Sequence, residues 1–341
     1  MKYSEAIKLF HDTALKRKKV VLIGQGINDF KGMWGTTSNL HKKYPNRVID
    51  TPIAEDSTAG ICVGLALNGM YPINTHIRAD FSLLAFNQLI NLIAKYKYMF
   101  GGNFELPMLF RLVIGRSWGQ GAQHSQSLQS LLAHIPGLTV IMPSNSNSLI
   151  ESYKYAINKY KNPIISFEHR LLYDLEFSLK NNNKINPFDS YIARNGSDLT
   201  IIATSIMVLE CLRAADYLLK FGVRIEVIDL NCISNFNKKL IIKSVKKTKH
   251  LIIADTSWSM YGVSSEISRI VLESGISLNS RPISLGMAPS SCPTSKALEN
   301  IFYPDLKKIL KSVIKQIKRK DIPLPASQSM TDFYKHFKGP F

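Results

Sequence analysis

Cysteine is scarce in this 341-residue chain: four, at Cys62, Cys211, Cys232 and Cys292. No two share a CxxC or Cys/His ligand spacing, so neither a disulfide framework nor a zinc site is expected, and the thiols suit a reducing compartment. No apolar run approaches the roughly 20 residues that cross a bilayer. The N-terminal segment carries Glu5, Asp12 and a basic cluster from Lys16 to Lys19 without an apolar stretch. It therefore reads as a helix rather than a signal peptide, and a cytoplasmic location is expected. Common cofactor and nucleophile signatures are missing too. There is no GxxxxGK[ST] loop, no GxSxG elbow and no HExxH, and Gly24-Gln25-Gly26 lacks the third glycine of a dinucleotide fingerprint. These absences argue against an ATPase, a serine hydrolase and a conventional NAD enzyme.

Acidic residues are also few. Asp and Glu number 25 against 43 Lys and Arg, a formal net charge of +18. Such a balance points first to a polyanionic partner. The excess, however, is mostly lysine spread through the chain, as a drift toward AT-rich codons would produce. The lysines form stripes, at Lys238, Lys239, Lys243, Lys246 and Lys247 and again from Lys307 to Lys320, with Ile241, Val245, Ile309, Leu310 and Val313 at helical spacing between them. That is the pattern of surface helices with one buried face. No nucleic-acid-binding motif accompanies it. A non-catalytic basic binding protein remains the alternative of another class, but neither a nucleic-acid nor a membrane partner is expected.

What is present is an alternation of helical and short apolar strand patterns, the mark of an α/β fold with mostly parallel strands. Strands are expected at 20–23, 72–77, 108–114, 138–142 and 164–167, and one long helix over 83–98. The polar, aperiodic stretch 178–190 is the best linker. Beyond it the alternation restarts with a strand at 199–203. The length favours two domains: residues 1–180, a linker at 181–195, residues 196–320, and an extended tail at 321–341.

Three segments stand out in the first half: Asp50-Thr51-Pro52-Ile53-Ala54-Glu55-Asp56, Arg78-Ala79-Asp80-Phe81, and Gly119-Gln120-Gly121-Ala122-Gln123-His124-Ser125-Gln126. Each falls where a strand ends or a helix begins, the edge on which α/β proteins build sites. With Tyr98-Met99-Phe100-Gly101-Gly102 and His134-Ile135-Pro136-Gly137-Leu138, these runs resemble the beta subunit of the thiamine-diphosphate-dependent, decarboxylating component of 2-oxo acid dehydrogenases. The resemblance is to the pyruvate/acetoin dehydrogenase-like type. The resemblance covers about residues 3–320. It implies a thiamine-diphosphate-binding, transketolase-type pyrimidine domain followed by a transketolase C-terminal-like α/β domain.

The resemblance also implies roles. Glu55 corresponds to the carboxylate that holds a proton at N1′ of the aminopyrimidine, so that the cofactor's own 4′-imino group can act on C2. A glutamate in an apolar cleft suits this, because desolvation favours sharing the proton. Asp56 fits better as a first-turn carboxylate facing the helix dipole. Phe81 corresponds to the ring that stacks on the pyrimidine. His124 corresponds to the histidine that faces the reacting centre and handles a proton or the substrate, whereas His134 reads as structural. Arg78 and Arg116 depart from the usual small or apolar residues of pyruvate-type members. They are candidates for binding a substrate carboxylate or phosphate, or for pairing with neighbouring acids.

No Gly-Asp-Gly motif for the diphosphate and Mg²⁺ occurs in the chain; in the resembled family it sits on the alpha subunit. No metal ligands are therefore expected here, apart from a potassium ion on backbone carbonyls near residues 156–161, which the lysines of that segment disfavour. The implied partners are an alpha subunit in an α2β2 heterotetramer with a beta–beta dimer, and a lipoyl-bearing core. Arg-x-Asp-Phe, the Arg116–Trp118 stretch and the terminal Gly339-Pro340-Phe341 resemble a branch that accompanies surface-polysaccharide or specialised-metabolite genes. For that branch carboligation onto a carbonyl compound is the alternative to acyl transfer to lipoamide.

Overall fold

The computed structural model describes residues 1–116, 119–179 and 186–325. Trp118, residues 181–185 of the expected linker, and the tail from 326 to Phe341 lie outside the described residues. The chain divides into two compact units: Met1–Ile114 with Leu131–Phe188 and Cys232–Asn235, and Gly115–Ser130 with Asp189–Asn231 and Phe236–Phe341.

The strands of the first unit are β1 (Val20–Gly24), β2 (Val48–Asp50), β3 (Tyr71–His76), β4 (Met108–Ile114), β5 (Thr139–Ile141) and β6 (Pro163–His169). They form one sheet in the order β2-β1-β3-β4-β6-β5, with every pairing parallel. Each of β1, β3, β4, β5 and β6 is buried along its whole length, as continuous apolar runs in a covered parallel sheet should be. The helices here include α1 (Tyr3–Leu15), α2 (Leu40–Lys43) and α3 (Glu55–Leu67). The expected helix over 83–98 is instead a 3-10 helix at Ala79–Ala85, a π-helical stretch at Asn87–Ile93, and α4 (Tyr96–Met99). Its hydrogen bonds widen, with the Ala94 N–H reaching Leu89 O. Ala85, Leu89 and Ile93 recur on the buried side every fourth residue, a spacing between those of α and π windings.

One buried ion pair ties the middle of this sheet. Arg111 on β4 donates from Nε and Nη2 to the two oxygens of Glu168 on β6, at 2.6 and 2.7 Å. The hydroxyls of Tyr153 and Tyr173 donate to the same carboxylate. Four donors on one anion compensate for taking both charges out of water.

In the second unit β7 (Tyr191–Arg194), β8 (Leu199–Ala203), β9 (Ile225–Asp229), β10 (Leu251–Trp258) and β11 (Ile283–Met287) form a sheet in the order β11-β10-β8-β9-β7. Only β7 runs antiparallel to its neighbour. Along the chain α5 (Gln129–Ala133) lies between β4 and β5, and α6 (Ser146–Asn158) between β5 and β6. They are followed by α7 (Ile206–Leu219), α8 (Lys238–Thr248), α9 (Val263–Glu273), α10 (Lys296–Phe302) and α11 (Leu306–Ile317). The lysine stripes behave as the periodicity predicted. On α8, Ile241, Ser244, Val245 and Thr248 are buried while Lys239, Lys243 and Lys246 face solvent. On α11, Leu306, Ile309, Leu310 and Val313 are buried. All four cysteines are buried and unbridged. Among the described residues, no helix is long and apolar enough to cross a membrane.

Candidate active site

The C-terminal ends of β1, β2 and β3 lie side by side. Gly24 pairs with both Asp50 and Thr75, and a side chain at Gly24 would meet the Thr75 carbonyl oxygen at 2.5 Å. Asp50 Oδ1 accepts from the Ile27 N–H at 3.2 Å, which anchors the turn after β1. From this edge the chain enters α3 at Glu55.

The helix places its first residue by periodicity. Glu55, Thr58, Ala59, Cys62, Val63 and Ala66 form the buried face of α3, spaced at three and four as a core-facing stripe must be. Glu55 is therefore inside, 8% exposed, and Asp56 outside. Glu55 Oε2 is buried without a hydrogen-bond partner. A buried carboxylate oxygen left unpaired costs free energy unless something donates to it. That vacancy suits a ring nitrogen carrying a shared proton, so the residues fit the pyrimidine end of thiamine diphosphate.

Phe81 lies in the 3-10 helix after β3, half-buried, and its N–H donates to Arg78 O at 3.3 Å. This turn packs directly on α3, so the elements carrying Glu55 and Phe81 come together. Arg78 is buried, 3% exposed, and donates from Nη1 to the Ile77 carbonyl at 2.9 Å. Its guanidinium lies 5.2 Å from the Trp34 ring, and that of Arg170 lies 5.3 Å from the same ring. Burial brings Arg78 down to about 10, helped by the like charge of Arg170 and opposed by Asp80. Asp80 thus acts on Arg78 through its charge.

The loop with His124 and Arg116 belongs to the second unit. His124 is half-buried, and its N–H points to Gly121 O at 3.5 Å. Gly121 has φ +70°, and a side chain there would meet Thr294 Cγ2 at 2.6 Å. Arg116 is 4% exposed. It donates from Nη1 to Pro304 O at 2.9 Å, and its guanidinium lies over the Tyr303 ring at 4.5 Å.

Three groups escaped sequence reasoning. His76, at the end of β3, is buried with both ring nitrogens unpartnered, and burial lowers it to about 4. Trp34 serves as the shared face for two arginines. Tyr303 lies far along the chain from the loop it holds. Only His76 had a visible signal, an imidazole closing an apolar strand. At the segment considered for potassium, the Ile157 carbonyl and the Asn158 side chain accept hydrogen bonds from Arg17. No group of three or more His, Cys, Asp or Glu arranged for a metal occurs among the described residues.

Comparison with known proteins agrees with this architecture. Residues 1–176 match the transketolase pyrimidine binding domain and residues 189–309 the transketolase C-terminal domain. The mitochondrial pyruvate dehydrogenase E1 component subunit beta of Bos taurus is 36% identical over 322 residues, covering 92% of this chain and 89% of the relative. The corresponding subunit of Rickettsia conorii is 33% identical, covering 88% of this chain and 93% of the relative. The acetoin:2,6-dichlorophenolindophenol oxidoreductase subunit beta of Cupriavidus necator is also 33% identical, covering 86% and 89%. A solved structure described as a split gene transketolase, inactive beta4 tetramer, superposes with a TM-score of 0.74 at 20% identity, over 93% of this chain and 97% of that one, and is a likeness of fold. The chain belongs to the transketolase-type family of 2-oxo acid dehydrogenase E1 beta subunits.

Proposed function

We propose that this chain is the beta subunit of a heteromeric thiamine-diphosphate enzyme that decarboxylates a pyruvate-like 2-oxo acid and passes the acyl unit to an acceptor such as lipoamide. The observation that carries the reading is the buried, unpartnered Glu55 Oε2 on the first turn of α3. When bound, thiamine diphosphate supplies a nucleophilic carbon that adds to the 2-oxo group and takes up the electrons released with CO2. In this reading Glu55 holds a proton at the pyrimidine ring, and Phe81 fixes the plane of that ring. His124 handles a proton or orients the substrate. Arg78 and Arg116 lend positive charge, although both guanidinium groups are also engaged with protein partners.

An alpha subunit would bring the diphosphate and Mg²⁺ motif, in an α2β2 heterotetramer. In support, α3 turns an uncovered face outward, with Gly60 and Gly64 bordered by the exposed Ile53, Ile61 and Leu67. Tyr98, Met99, Phe100 and Phe104 are exposed as well. Apolar surface of this kind marks a subunit interface. The division into a pyrimidine domain and a C-terminal domain near residue 185, and a cytoplasmic location, belong to the same reading.

The test is to purify the chain with its alpha subunit and compare it with Glu55→Gln. Decarboxylation of pyruvate should fall about 10²- to 10⁴-fold, the range for loss of a positioned proton-transfer group. Thermal stability should be kept. Unchanged turnover in Glu55→Gln would refute the reading, and product analysis would tell acyl-lipoamide from a coupled ketol.

A further inference from the structure

We infer that Tyr303, with Arg116 stacked on it, is a positioning residue that clamps the feet of the His124 loop. This rests on the function proposed above. The Tyr303 hydroxyl faces two carbonyl oxygens on the loop, Gly115 O at 3.3 Å and Ser125 O at 3.4 Å. Gly115 opens the loop and Ser125 directly follows His124, so one hydroxyl spans the segment that carries the histidine. One hydroxyl proton shared between these two acceptors links both ends of the segment through two long bonds.

The clamp is itself held. Arg116, one residue into the loop, covers the Tyr303 ring at 4.5 Å and donates to the carbonyl of the next residue, Pro304, at 2.9 Å. A desolvated cation over an aromatic face is among the stronger contacts of this kind; Tyr303 is 3% and Arg116 4% exposed. Cys292 Sγ approaches the Tyr303 hydroxyl at 3.5 Å. Gly121, at φ +70°, packs against Thr294, whose Cγ2 a side chain there would meet at 2.6 Å. Beyond the histidine the chain is pinned again: Ser257 Oγ donates to Ser127 O at 2.8 Å, and Gln129 Nε2 donates to Asp255 Oδ1 at 2.9 Å. Ala122 and Gln123, just before His124, are exposed. The segment 292–304 and the end of β10 therefore set where the imidazole stands. Arg116 acts through this stack, as a brace for the clamp.

Tyr303→Phe keeps the ring and the arginine stack and removes only the hydroxyl. In the complex with the alpha subunit, kcat should fall about tenfold, as small displacements of a reacting group do, with thiamine diphosphate affinity unchanged. Amide hydrogen exchange at 119–125 should become faster while exchange in β8 and β10 stays the same. Arg116→Gln should show the same two signals, and it carries the test if Tyr303→Phe does not fold. Unchanged kcat and unchanged exchange in the folded variants overturn the inference. So does a kcat loss with slower or unchanged exchange at 119–125. Glu55→Gln, run alongside, separates the two ideas: if it is inactive while Tyr303→Phe is normal, only the clamp fails, and if it is fully active, the proposed function fails.

Discussion

Replacing Glu210 with glutamine should stabilise the protein by an amount that grows with pH. Glu210 sits on α7 with no exposed surface. One carboxylate oxygen accepts from Arg213 Nη1 at 3.1 Å, and the other, Oε2, has no partner. Burial pushes the group from 4.5 up to about 7, against the pull of Arg213 and Arg116 and with a push from Asp305. Between pH 4.5 and 7 the folded chain therefore holds a proton that the unfolded chain has released. Stability falls as pH rises through that window and levels off above it. At about 1.4 kcal/mol per pH unit, the full loss is about 3 kcal/mol, of which about 2 kcal/mol falls between pH 5.5 and 8. Glutamine does not ionise and still offers Arg213 a carbonyl acceptor. Urea unfolding of both proteins at pH 5.5, 6.5 and 8 measures the difference directly, and titrations common to the two cancel. A variant-minus-wild-type difference in unfolding free energy that is flat with pH, or that is smaller at pH 8 than at 5.5, would refute the reasoning.

The other expectations concern the first unit. His76 has a lowered folded value of about 4 against an ordinary 6.5, so the unfolded chain binds more protons between those limits. Its contribution is present above pH 6.5 and is lost as pH falls toward 4, by about 3 kcal/mol at the end. His76→Phe, which packs beside Phe110 without unpaired nitrogens, should remove that acid sensitivity and match or exceed wild-type stability at pH 7 in denaturant titration. Arg111→Met leaves the Glu168 carboxylate buried without its cation and should cost about 3–5 kcal/mol. The same assay checks it, and a loss below 1 kcal/mol would contradict the four-donor account.

The burial of Glu55 was legible because local rules act on neighbouring residues. The three-and-four spacing from Glu55 to Ala66 needs only helix geometry to put Glu55 inside and Asp56 outside. The same geometry assigns the lysines of α8 to solvent. The stretch 83–98 misled for the converse reason. Its apolar pattern suits a helix, but which hydrogen bonds the helix keeps depends on what crosses it, and a side chain at Gly137 would run into Ala94 O at 2.0 Å.

By itself the sequence determined most of the strands and the buried faces of α3 and α8. Only the tertiary structure decided which polar atoms find partners. Glu55 Oε2 and both nitrogens of His76 are left without one, whereas Tyr303 reaches Gly115 across 188 residues of chain. Periodicity reports on neighbours a few residues apart, whereas a hydrogen bond requires only that folding bring a donor and an acceptor within about 3 Å.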